Sequence, residues 1–194
     1  MIKHFIFAMS LLGFWYPFPI LAGHLSDNKI TKGEAEHVLC GINVYKTKIE
    51  KVIAAFGKPT TIETFMSKKG DSNYEPGSGI NIYTWNRSGS KMRLRSWFTT
   101  DEKTGKIVKG DVFEIDVWGG KAKKEIGVTG KGIALGDSLL KVLKTYEKPT
   151  SQEKNPSNKI SNYFIRWEDG AHLDVDFDQN GRINHIQLST ANEY

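Results

Sequence analysis

Two stretches of this chain repeat apolar residues at a spacing of three and four. Ile49, Val52, Ile53 and Phe56 fall at i, i+3, i+4 and i+7, and Leu139, Val142, Leu143 and Tyr146 do the same. That spacing gathers four apolar side chains on one side of an α-helix, so each stretch predicts an amphipathic helix. Pro59-Thr60 follows the first and Pro149-Thr150 the second, and a proline cannot continue a helical hydrogen-bond ladder. Thr47 is the expected N-cap of the first helix, and Asp137 or Ser138 that of the second. A further short helix is expected from Ser26-Asp27-Asn28 through about Leu39, with Cys40 at its end and Gly41 as its stop.

Downstream of each helix the period changes to two, the signature of strands with one buried face. A polar loop from Ser67 to Gly79 leads into a strand at Ile80–Trp85, with Asn86 to Ser90 as its turn. The next strand, Lys91 to Thr99, sets Met92, Leu94 and Phe98 on one face and Arg93, Arg95 and Trp97 on the other. A third, Val112 to Trp118, alternates Phe113, Ile115 and Val117 with Glu114, Asp116 and Trp118. In the second half, Ile165-Arg166-Trp167 echoes Tyr83-Thr84-Trp85, and Glu168-Asp169-Gly170 turns the chain. Leu173, Val175 and Phe177 then alternate with His172, Asp174 and Asp176. Asp178 to Gly181 is a second turn, and Arg182 to Leu188 closes the sheet.

Helix followed by antiparallel meander, twice over, predicts an α+β fold of two tandem units, 23–118 and 132–194. A lysine-rich stretch over 119–131, in which nothing apolar repeats, reads as the linker between them.

Gly-Ile-x-Leu-Gly-Asp-Ser at 132–138, Val142, Tyr146 and Pro149, then Leu173 to Phe177 and Gly181-Arg182-Ile183, give this plan a likeness to a known family. It resembles the β-lactamase-inhibitor-protein-like fold and the related SmpA/OmlA (BamE-like) small envelope proteins. The resemblance implies a helix-loop-helix packed on a small antiparallel sheet in each unit. It also implies that the uncovered sheet faces grip another protein, with Arg93, Arg95, Trp97, Trp118, Arg166, His172, Asp174 and Asp176 as the contacting residues. Exposed Trp and Arg are the residue types that anchor interfaces. The family's disulfides and its lipidated cysteine have no counterpart, since Cys40 is the sole cysteine.

The first twenty-two residues change the picture of where the protein acts. Lys3 and His4 precede an apolar run from Phe5 to Ala22, which closes on small residues, as a cleavable signal peptide does. Pro17 and Pro19 would damage a spanning helix. The expected product is a secreted or periplasmic chain with no stable membrane anchor after cleavage. Net charge after residue 22 is +4, from nineteen Lys+Arg against thirteen Asp+Glu over 23–131 and seven against nine over 132–194. No basic cluster interleaved with aromatics appears, which argues against a nucleic-acid partner.

Three motifs imitate chemistry. Gly136-Asp137-Ser138-Leu139 spells the GDSL esterase signature, with Asp169 and His172 as further triad members. The helix start explains Ser138 without a nucleophile. Asp176, Asp178 and Asn180 imitate half a calcium loop, but Gln187 stands where the bidentate glutamate belongs. The histidines have no zinc-ligand spacing. The sequence therefore points to a non-catalytic, exported protein-binding module that needs no metal or cofactor. The alternatives are a serine hydrolase using Ser138 and a purely structural envelope protein.

Overall fold

The computed structural model of the chain describes residues 34–66, 77–101, 103–119, 127–146 and 148–190. The expected signal peptide, the caps at Ser26 to Asn28 and most of the expected loop from Ser67 lie outside the described residues.

The elements run in chain order as β1 (Val38–Leu39), β2 (Ile42–Asn43), α1 (Ile49–Phe56), β3 (Thr61–Met66), β4 (Gly79–Arg87), β5 (Ser90–Thr100) and β6 (Ile107–Gly119). They continue as α2 (Leu139–Thr145), β7 (Ser151–Lys154), β8 (Ile160–Arg166), β9 (Ala171–Phe177) and β10 (Ile183–Thr190). One antiparallel sheet holds eight strands in the order β3-β4-β5-β6-β10-β9-β8-β7, and β1 and β2 pair separately. The four strands after each helix thus meet at the β6–β10 seam, where Val117 faces Ile186 and Ile115 faces Leu188.

This overturns the expected α+β class of helix-loop-helix units on small sheets. Among the described residues the fold is mostly β: two helices of eight and seven residues lie against ten strands. The apolar spacing identified both helices correctly. Residues 34–39, however, are extended, and a hairpin replaces the helix expected there. Its cause is local: the carboxylate of Glu36 accepts the amides of His37 and Val38 at 3.0 and 2.9 Å. Cys40 and Gly41 then take left-handed φ angles of 59° and 74°, the geometry of a two-residue hairpin turn. The other unexpected strands are β3 and β7, each beginning within two residues of a Pro-Thr pair. The Thr60 amide donates to Thr84 O and its Oγ1 accepts from Asn86 N; Thr150 makes the same two bonds with Phe164 O and Arg166 N.

One face of the sheet is the core. Tyr83, Trp85, Met92, Leu94, Ile115, Val117, Ile186, Leu188, Leu173, Val175, Tyr163 and Ile165 are buried there with Ile49 and Val52 of α1 and Val142 of α2. The helices are held to the strands by their leading loops: Val112 N donates to Thr47 O, and Ile183 N to Asp137 O. Neither helix has a side-chain cap. Lys48 and Ser138 occupy the cap positions, Thr47 Oγ1 accepts from Asn43 N, and Asp137 accepts from Ala134 N and from Lys141 at 2.6 Å.

Candidate functional site: the open face of the sheet

Because the side-chain period of a strand is two, the residues between the core positions share the opposite face. The registers align them in rows that cross five strands. Lys91, Trp118, His185, Asp176 and Asn162 form one row; Arg93, Asp116, Gln187, Asp174 and Phe164 the next; Arg95, Glu114, Ser189, His172 and Arg166 a third. Both helices pack on the other face.

Seven of the eight expected contact residues stand in these rows, so the pairing of β6 with β10 brings residues of both halves onto one surface. Trp97 joins them through a β-bulge. Arg95 faces Glu114 but Ser96 faces Val112, so Phe113 is the extra residue. Val112 takes the buried position, and Phe113 leaves the line of Ile115 and Val117 to stack on Trp97, with ring centroids 4.6 Å apart. The expectation that Phe113 shares the face of Ile115 and Val117 is corrected by that bulge.

Buried carboxylates hold the cations of this face. Arg93 Nε and Nη2 each lie 3.0 Å from Asp116 Oδ2, and Arg95 Nη1 lies 3.0 Å from Glu114 Oε2. The arginine side chains are 29% and 32% exposed, the carboxylates only 2% and 9%. Solvent therefore meets guanidinium, with the acids beneath it. Trp118 receives the Lys91 ammonium and the Arg93 guanidinium at 5.1 Å each and stacks on His185 at 4.7 Å and 9°.

His185 is the centre that the sequence reading left among structural histidines. Its Nδ1 lies 2.9 Å from Asp176 Oδ2 and its Nε2 3.3 Å from Asp116 Oδ1. Burial alone would favour the neutral ring, but the two carboxylates outweigh it and raise the pKa to about 9. Burial would likewise raise Asp116 and Asp176, and the bonds from His185 and its neighbours hold both below the ordinary carboxylate range. Glu114 is pushed up to about 7, first by burial and then by the Asp116 charge. Its Oε1 and the Nε of Arg95 are buried without hydrogen-bond partners. Burial lifts Asp174 to about 6 against the opposing bond from Asn162, whose amide donates to Asp174 and, at 2.8 Å, to Asp176. Burial also lowers His172, which lies 2.5 Å from Ser189 Oγ.

Chemically, this arrangement holds charge in place. Both nitrogens of His185 are engaged by carboxylates, so the ring offers no free base. Ser138 opens α2 on the covered side, whereas His172 stands on the open face, and the two do not assemble a triad. Asp178 closes its own turn by accepting from Asn180 N and Arg182 N at 2.8 and 2.9 Å, while Asp176 is turned toward His185. Glu114, Asp116, Asn162 and His185 were missed as members of this surface. Strand parity places Glu114 and Asp116 beside Arg93 and Arg95, but only the β6–β10 pairing adds His185.

No protein-family model and no curated protein matches the sequence. Among solved structures, the chain is similar to the crystal structure of a DUF4309 family protein (YjgB) from Bacillus subtilis subsp. subtilis str. 168. The two are 18% identical, with 80% of this chain and 88% of that chain covered and a TM-score of 0.40. A likeness at this level assigns the chain neither family nor function.

Proposed function

We propose that this chain is an exported, non-catalytic protein-binding module, and that the open face of its sheet holds the partner. One observation carries the reading: half-exposed Arg93, Arg95, Trp97 and Trp118 are fixed from beneath by buried carboxylates and from the side by aromatic stacking. Arginine and tryptophan dominate binding energy at interfaces. Side chains already ordered before contact lose less entropy on binding. The second half extends the surface with Arg166, His172, Asp174 and Asp176, so a partner would meet arginine and indole on one side and carboxylates on the other. The likeness to β-lactamase-inhibitor-protein-like sheets, drawn from the sequence, supplies the same mode.

The test is co-purification from the native envelope with wild-type chain and with the Arg95→Ala/Trp97→Ala double variant. A specific partner recovered by wild type and lost with the variant, at unchanged circular dichroism, is expected. Equal recovery by both would remove the sheet face as the binding surface.

A further inference from the structure

A cleft of about 530 Å³ opens between α1 and the β1–β2 turn, lined by Cys40, Gly41, Ile42, Thr47, Lys51, Val52, Ala55, Phe56 and Arg87. Its walls divide by chemistry. Ile42 and Val52 are buried in its floor, and Ala55 and Phe56 extend the apolar surface outward. Lys51 and Arg87 stand at the rim. Arg87 is fixed there, with Nη2 donating to Phe56 O at 2.8 Å and its guanidinium over the Phe56 ring at 5.8 Å. Nearby surface lysines are neutralised: Lys48 meets Asp111 at 3.2 Å and Lys109 meets Glu50 at 3.6 Å. Lys51 and Arg87 meet no carboxylate among the described residues. The cleft is thus an apolar hollow, of a size that holds small ligands, under two uncompensated cations.

We propose that this cleft binds a free single-chain anionic amphiphile, its hydrocarbon against Ile42, Val52, Ala55 and Phe56 and its carboxylate against Lys51 and Arg87. Burying one CH₂ is worth about 0.8 kcal/mol, so a medium-length chain supplies the affinity and the rim cations select the sign of the head. Thr47 Oγ1 is already engaged by Asn43 N and takes no part in that selection. The Cys40 thiol presents no opposing charge: burial raises its pKa to about 11, and Sγ lies 3.1 Å from Gly127 N. The site lies on the helix side of the sheet and is independent of the reading given to the open face.

The test is calorimetric titration of the full chain with dodecanoate below its micellar concentration, beside dodecyltrimethylammonium as the cationic probe. One-to-one binding of dodecanoate is expected, with the cation at least tenfold weaker and Lys51→Gln reducing dodecanoate affinity about tenfold, the worth of one charge-assisted contact. Ala55→Trp, at an exposed helix position, should abolish binding while leaving the thermal midpoint unchanged. Dodecanoate should also slow maleimide labelling of Cys40. No heat with dodecanoate, equal affinity for the cation, or full affinity in Lys51→Gln would each overturn the proposal. Binding only to anionic vesicles and not to dodecanoate would overturn it too.

Discussion

His185 and Asp116 face each other across the seam where the two halves of the sheet join, Nε2 to Oδ1 at 3.3 Å, and Asp176 holds the other ring nitrogen at 2.9 Å. The imidazole is therefore a cation shared by β6, β9 and β10.

Its folded pKa of about 9 exceeds the ~6.5 of an unfolded histidine. The resulting stability is fully present below about pH 6.5 and is lost as pH rises through 9. It amounts to something on the order of 2 kcal/mol. Urea unfolding should show wild type losing more stability than His185→Gln between pH 6 and pH 9.5, and NMR titration should place the ring well above 6.5. Parallel losses in both proteins would show that the ring is not a shared cation.

A second polar contact ties the start of the described chain to the end of α2. Tyr146 OH donates to Glu36 Oε2 at 3.0 Å and lies 2.8 Å from Thr129 Oγ1, all within the core. Tyr146→Phe keeps the ring and its edge contact with Trp167 but leaves a buried carboxylate oxygen one donor short. The expected loss is about 1–3 kcal/mol. A double-mutant cycle with Glu36→Gln should return a coupling of at least ~0.5 kcal/mol, and additivity would show that the hydroxyl works elsewhere.

Periodicity made the helices legible because Ile49, Val52 and Val142 repeat along a face that the fold buries. It also placed most of the central strands, where Met92 and Leu94 alternate with Arg93 and Arg95. It was blind to β3 and β7, since edge strands bury little: every residue of Thr61–Met66 is exposed, and Ser-Gln-Glu-Lys carries no apolar signal. The helix expected through Leu39 failed for another reason. Glu36 looks like a surface residue in sequence, yet it is buried and accepts Lys131 N from ninety-five residues away. Long-range bonds of this kind leave no local trace. The open face was legible by strand parity in each half, but its centre depends on the β6–β10 seam. A reading that separates the halves by a linker has no means of setting His185 beside Asp116.

Glu114 should respond to pH in the opposite sense from a depressed carboxylate. Its folded pKa of about 7 lies above the ~4.3 of an unfolded glutamate, so ionisation costs the folded state. Stability from this group is present at low pH, falls as pH climbs from about 4.3 through 7, and is constant beyond. Glu114→Gln removes that fall. Between pH 5 and pH 8 the variant should lose less stability than wild type, by something on the order of 2 kcal/mol. Equal losses measured by urea unfolding would show that the glutamate ionises normally.

Gly110 sets the position of the Trp97 anchor. A Cβ built there would lie 2.8 Å from Trp97 O and 3.1 Å from Trp97 Cβ, closer than atoms pack without displacement. Gly110→Val should therefore push Trp97 off its stack on Phe113 and distort the bulge, at a cost of roughly 1–3 kcal/mol. Near-ultraviolet circular dichroism should weaken while the far-ultraviolet strand signal persists. If the open face is the binding surface, Gly110→Val should reduce partner recovery although residue 110 itself bears no anchor. A variant with altered Trp97 packing and undiminished recovery would separate the indole from binding and leave Arg93 and Arg95 as the groups to test.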